Sequence, residues 1–359
     1  MNHVSIARRL CAVTVPLLLA SNLLTATAGP FQTSTQSQSQ SQSQSQSQPA
    51  SSSRTDRSGS ERLGIFVNIG IVLDRLGREF VNPTAGTVSY DGYLAHGGFG
   101  RRYLAIRPAT AVPGAPVLLL LHPRDESPER MANLTAAGRL AAQQGAWVFM
   151  PEAINGDWND TPGLSGTDDV GFISTLLDTV IPINQLDATR VYVAGYSNGG
   201  YMAERLACER ADRIAGVATV GAPLRAAAEN FCPLTRPMPV VQFHGTADVI
   251  VPYAGGEGRP GAVEASNYWA GRAGCAAGAI QITALPNRER NDQTRAVLRR
   301  HAGCPSGVDV RLYTIDNGGH TWPGSTYSTY TALLGRTSGD IDATLELWSV
   351  LIPYSRTPR

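Results

Sequence analysis

Short apolar runs recur along this chain without alternating with polar residues. They are Val117–Leu121, Ala146–Met150, Val191–Ala194, Ile214–Val220, Pro239–Phe243 and Val310–Ile315. A strand with one wet face alternates, whereas a strand covered on both faces does not. Between the runs lie segments with helical character, Met131–Gln144, Asp168–Ile181 and Gly199–Arg210, with Thr167 or Asp168 placed to cap the second. Two further extended segments, Thr87–Tyr93 and Arg101–Ile106, precede this succession. The pattern predicts an α/β fold: one mostly parallel central sheet with helices on both faces. No internal repeat is visible.

Before residue 63 the chain reads differently. Residues 1–28 have the form of a signal peptide, with Arg8 and Arg9, an apolar run from Leu10 to Leu24, and Ala26-Thr27-Ala28 before Gly29. The run is shorter than the ~20 apolar residues a membrane span needs, so no stable membrane insertion is expected. Residues 29–62, with the Ser-Gln repeat from Gln36 to Gln48, have little apolar surface to bury and read as a disordered linker. From Leu63 to Val81, Phe66, Ile69, Leu73, Leu76 and Phe80 recur at helical spacing, which predicts a short helix docking on the body. Residues 63–359 are taken as the catalytic domain.

Composition removes several chemistries. All 30 basic residues are Arg and there is no lysine, which excludes a P-loop, a Schiff base and a Ser–Lys dyad. The formal net charge is +1, and losing the two arginines of the leader makes it −1. Neither value shows the basic excess of a nucleic-acid binder. There is no CxxC or HExxH, and the histidines are scattered, so neither a metal nor a cofactor is signalled.

Gly195-Tyr196-Ser197-Asn198-Gly199 matches G-x-S-x-G once in the chain. The match alone is weak among 37 glycines, so its position carries the weight. A strand leads in and a helix leads out, which is the setting of a nucleophile elbow. Small residues at 195 and 199 let strand and helix approach, and the helix start offers free N–H groups to a developing oxyanion. A serine needs a base. His301 and His320 follow Ser197 with room for an acid between. His320 sits in a glycine-rich loop after the strand Val310–Ile315, whereas His301 lies in a polar segment read as a solvent-facing loop. His122 and His244 each end a strand and read as structural hydrogen-bonding groups. For the acid, Asp248 after Pro239–Phe243 is preferred over Asp316, which is only four residues from His320.

Several segments carry a resemblance. They are Leu119–His122, Asp168–Ile173, Gly195–Gly200, His244–Tyr253 and Gly318–Gly324. Together they resemble the secreted polyhydroxybutyrate depolymerase / feruloyl esterase group of α/β-hydrolases, from about residue 87 to the C-terminus. The resemblance implies an α/β-hydrolase fold with Ser197, Asp248 and His320 as a triad. The family usually has Gly after the first-strand His; here that position is Pro123, which has no N–H to donate. The oxyanion donors by position are therefore the backbone N–H groups of Arg124 and Asn198. Trp158 and Trp322, in loops at strand ends, are expected by resemblance to line the substrate site. The resemblance also pairs Cys208 with Cys232 and Cys275 with Cys304.

The expected function is a secreted serine carboxylic-ester hydrolase working through an acyl-enzyme. The implied substrates are hydroxyalkanoate oligomers or esters on plant polysaccharide. A non-catalytic carbohydrate- or surface-binding α/β-hydrolase relative and a serine peptidase are the alternatives.

Overall fold

A computed structural model describes residues 79–161, 166–225, 232, 236–256, 258–305, 308–327 and 331–356. The expected leader and linker, and most of the helix expected at 63–81, lie outside the described residues. Of that helix, residues 79–81 are irregular, and Phe80, assigned to its packed face, is instead exposed.

The strands are β1 (Thr87–His96), β2 (Phe99–Pro108), β3 (Val117–Leu121), β4 (Trp147–Pro151), β5 (Val191–Tyr196), β6 (Gly216–Val220), β7 (Val240–Gly245), β8 (Ile280–Ala284), β9 (Arg295–His301) and β10 (Val310–Asp316). They form one sheet in the order β1-β2-β4-β3-β5-β6-β7-β10-β9-β8. The six strands from β4 to β10 in that order run parallel, and an antiparallel pair flanks each side. This is the mostly parallel sheet of an α/β-hydrolase.

The helices are α1 (Pro128–Thr135), α2 (Gly138–Gln144), α3 (Asp169–Ile183), α4 (Asn198–Glu209), α5 (Ala262–Arg272), α6 (Thr331–Leu334) and α7 (Ala343–Leu351). Successive residues of β3 divide between two cores. Leu119 and Leu121 pack with Phe172 of α3, Met202 of α4 and Trp269 of α5. Leu118 and Leu120 pack with Met131 of α1, Leu140 of α2 and Trp348 of α7. Both faces of the sheet are therefore covered, which is why its strands show no alternation.

Two local expectations change. The helix expected over Met131–Gln144 is two helices, because Ala136 turns left-handed (φ 47°) and its N–H caps α1. Gly138 then starts α2 with no room for a Cβ against Thr84. The segment holding His301 is not a solvent-facing loop but strand β9. His301 is buried there, with Nε2 2.9 Å from Ser266 Oγ. The arginines at 299 and 300, just before it, made the segment read as polar. Of the two residues expected to cap α3, Asp168 does so, accepting from the Gly171 N–H at 2.9 Å.

Candidate active site

β5 delivers Ser197 at the C-terminal end of the parallel strands, where such sheets hold ligands. Ser197 has φ 53° and ψ −123°, a conformation that side-chain-bearing residues avoid. Neighbouring glycines make the turn possible. A Cβ on Gly195 would lie 2.1 Å from Gly199 O, and one on Gly199 would lie 2.4 Å from both Leu121 O and His122 O. The Ser197 N–H donates to Val220 O at 2.9 Å, tying the elbow to β6.

Asp248 and His320 come from the loops after β7 and β10. These loops meet backbone to backbone: the Ala247 N–H donates to Gly318 O at 2.9 Å. Gly245 permits the approach, since a Cβ there would sit 2.2 Å from Gly318 O. The result is a buried pair, His320 Nδ1 to Asp248 Oδ2 at 2.7 Å. The other oxygen, Oδ1, accepts the N–H groups of Ile250 and Val251 at 2.9 and 2.8 Å. Burial opposes the charge on Asp248, but the neighbouring imidazoles of His244 and His320 and the Val251 N–H outweigh it and hold the carboxyl well below the usual carboxylate range. Asp316 is exposed and accepts from Thr246 Oγ1, away from His320.

Ser197 and His320 line one cavity of about 390 Å³. Met131, Leu134, Ile250 and Leu333 give it an apolar wall, while Arg124, Glu126 and Arg130 bring charge to it. Glu126 and Arg130 pair at 2.7 Å, yet burial and the nearby Glu79 and Asp125 push the Glu126 carboxyl upward. Arg124 engages Asp157 through Nε at 2.9 Å.

The two amides read from the sequence as oxyanion donors belong to Arg124, which lines the cavity, and to Asn198, the elbow residue after Ser197. Among the described residues, neither the Arg124 nor the Asn198 N–H donates a hydrogen bond to the backbone. The buried ring of His122 bears on the first. Its Nε2 accepts the Ala153 N–H at 3.1 Å, so its proton is on Nδ1, which donates to Pro123 O at 2.8 Å. That carbonyl shares a peptide plane with the Arg124 N–H, so the hydrogen bond sets the direction of the amide. Burial lowers the His122 pKa, consistent with a neutral ring.

The two tryptophans do not line this cavity. Trp158 is 3% exposed and donates its indole N–H to His122 O at 2.9 Å. Trp322 is 1% exposed, donates to Thr344 Oγ1 at 3.0 Å, and borders a separate cavity of about 220 Å³. Indole N–H groups seek buried acceptors, and both side chains turn inward to find them. Two residues that sequence reasoning missed lie against His320. The hydroxyl of Tyr196 donates to His320 O, and its ring centroid is 5.0 Å from the imidazole. Gly221 follows β6 with φ 60°, and a Cβ there would come within 2.8 Å of His320 Cε1 and Nδ1. Their places were visible: Tyr196 is the first variable position of the elbow motif, and Gly221 ends an apolar run.

Comparison with known proteins adds a family. Residues 102–230 match the model described as "Esterase PHB depolymerase". The putative esterase NocK of Nocardia uniformis subsp. tsuyamanensis is 30% identical over 251 residues, covering 64% of this chain and 72% of NocK. The chain belongs to the PHB depolymerase / feruloyl esterase family. Feruloyl esterase B of Piromyces equi is a further relative, 31% identical over 57% of this chain. The bifunctional acetylxylan esterase/xylanase XynS20E of Neocallimastix patriciarum is 29% identical over 64% of it. The chain spans only 39% and 32% of those two longer relatives. Like its family, this esterase has an α/β-hydrolase fold. Two disulfides, Cys208–Cys232 and Cys275–Cys304, join its four described cysteines. Among the described residues, no helix is long and apolar enough to cross a membrane.

Proposed function

We propose that this esterase is an exported serine carboxylic-ester hydrolase with Ser197 as nucleophile, His320 as base and Asp248 as the acid that orients it. The observation that carries the reading is the buried 2.7 Å pair of Asp248 and His320, with His320 and Ser197 on the wall of one cavity. Asp248 accepts the Nδ1 proton of His320, which leaves Nε2 to take the proton from Ser197 Oγ. Oγ then attacks the ester carbonyl. The N–H groups of Asn198 and Arg124 receive the negative oxygen of the tetrahedral intermediate. His320 returns the proton to the departing alcohol, and water attacks the acyl-enzyme by the same route, releasing the acid and free Ser197.

The apolar wall of the cavity suits an ester carrying a hydrocarbon or aryl group. The names of the relatives extend the choice to feruloyl and acetylxylan esters, and the family model to hydroxyalkanoate oligomers. The two disulfides and the expected leader at residues 1–28 support export to an oxidising compartment. The test is a parallel assay of wild type and Ser197→Ala on p-nitrophenyl butyrate, methyl ferulate, acetylated xylan and hydroxybutyrate oligomers. Wild type is expected to hydrolyse at least the first, and Ser197→Ala to lose at least about 10³-fold in kcat. Equal rates in the two proteins contradict the reading.

A further inference from the structure

The segment between β4 and α3 contains Trp158 and Asp160, neither of which lines the cavity with Ser197. Both are buried, and both are bonded to Asn198. The Trp158 N–H donates to Asn198 Oδ1 at 2.9 Å. In return Asn198 Nδ2 donates to Trp158 O at 3.3 Å and to Asp160 Oδ2 at 2.7 Å. An amide donor facing a carboxylate and an acceptor facing a backbone N–H fix the orientation of this side chain. The same Trp158 reaches the other side of the elbow, where its indole N–H holds His122 O.

The segment is itself anchored from behind. The Asn159 N–H donates to Asp169 Oδ2 at 2.8 Å, and Asp169 Oδ1 is paired with Arg101 at 2.6 Å, both side chains buried. Asp160 is further held by an ion pair with Arg225. The Asp168-Asp169 pair of the sequence thus divides its work: Asp168 caps α3, and Asp169 fixes the segment that grips Asn198.

At a helix start a free Asn amide bonds to nearby backbone groups. In this esterase that amide is engaged by Trp158 and Asp160, while the Asn198 N–H makes no backbone bond. We infer that Trp158 and Asp160 are positioning residues for the oxyanion site, clamping the Asn198 side chain so that its N–H stays aimed at the reacting oxygen. This rests on the proposed roles of Ser197 and Asn198. A clamp that acts only on charge developing in the transition state changes kcat and leaves substrate affinity alone.

The experiment compares full-length wild type with Asp160→Ala, Asp160→Asn and Trp158→Phe on p-nitrophenyl butyrate, with melting curves as a folding control. Removing an oxyanion donor outright costs about 10²–10³ in kcat, so a misaimed one is expected to cost about 10–100-fold. Asp160→Ala is expected to show that loss with KM within about twofold of wild type. Phenylboronic acid, which forms a tetrahedral adduct on the serine, is expected to weaken by the same factor as kcat/KM. Asp160→Asn keeps an oxygen for Asn198 Nδ2–H and is expected to recover most of the activity; Trp158→Phe removes the bond to His122 O but leaves both backbone bonds to Asn198, and is expected to stay nearer to wild type than Asp160→Ala. If Asp160→Ala fails to fold, Asn198→Ala, which deletes the clamped amide but keeps the backbone N–H, carries the test with the same loss expected. A folded Asp160→Ala with unchanged kcat, or a loss confined to KM, overturns the inference while the esterase reading stands. A wild type that hydrolyses no ester overturns both.

Discussion

Asp248 stays ionised because hydrogen-bond donors surround it, not because it is exposed. Two are backbone N–H groups and one is the imidazole of His320, while His244 Nε2, which donates to Val251 O, lies 3.4 Å from Oδ2. The Asp248 carboxyl therefore titrates below the unfolded value of about 3.9. A depressed carboxyl contributes stability that is fully present above the unfolded pKa and is lost as pH falls toward the folded one. Wild type is accordingly expected to exceed Asp248→Asn in stability by a constant margin above about pH 5, and by a shrinking margin below about pH 4. Urea midpoints at pH 7 and pH 3.5 check this; a margin that widens in acid contradicts it. At this scale chain order pointed to Asp248 and His320, which the fold brings to 2.7 Å, with His320 and Ser197 on the wall of one cavity. The sequence was uninformative about where an indole points. Trp158 and Trp322 stand in loops at strand ends, yet their N–H groups turn inward to acceptors 36 and 22 residues away.

The elbow shows how far a local pattern reaches. Strand, turn and helix around Ser197 were legible because the apolar run, the glycines and the helix start are contiguous. What meets the elbow from elsewhere was not. Gly221 comes from the end of β6 and His320 from beyond β10, and no spacing reveals that the imidazole lies over the glycine. Gly221→Ala would place a methyl 2.8 Å from the ring, at a φ of 60°. The left-handed backbone costs about 1–2 kcal/mol for alanine, and a displacement of catalytic groups near 1 Å costs about 10²-fold in rate. The expected outcome is a modest fall in melting temperature with a loss of about 10²-fold in kcat on p-nitrophenyl butyrate. Wild-type kcat in a folded Gly221→Ala would show that the ring has room to spare. The division between α1 and α2 was hidden for a related reason: Gly138 is needed for contact with Thr84, over 50 residues earlier.

For the molecule as a whole, the parallel core was the most legible feature, since burial on both faces leaves its mark in the strands themselves. The antiparallel margin β9–β8 was not. β9 carries Arg295, Arg299 and Arg300 beside its apolar residues, and β8 is largely exposed, so neither resembles a core strand. Cross-links secure the regions around these parts. Cys208, at the end of the helix that begins behind Ser197, is bridged across 24 residues, and Cys275–Cys304 spans 29 residues around β8 and β9. Loop closure of this size is worth about 3 kcal/mol per bridge in the chain-entropy model. A Cys208→Ser, Cys232→Ser double variant is expected to lose about that much in urea unfolding, and reduction of wild type to lose more. An unfolding curve that reduction does not move contradicts this.

The proposed mechanism turns on attack of Ser197 on the ester. The chain has no lysine, so trypsin cuts it only after arginine, and Ser197 falls in the peptide Val191–Arg205. The direct measurement is stoichiometric reaction with a fluorophosphonate, followed by mass mapping and assay on p-nitrophenyl butyrate. One adduct on Ser197 of that peptide is expected, with activity lost in proportion and labelling abolished in His320→Ala. An adduct on another peptide, or hydrolysis that survives complete labelling, would contradict the account.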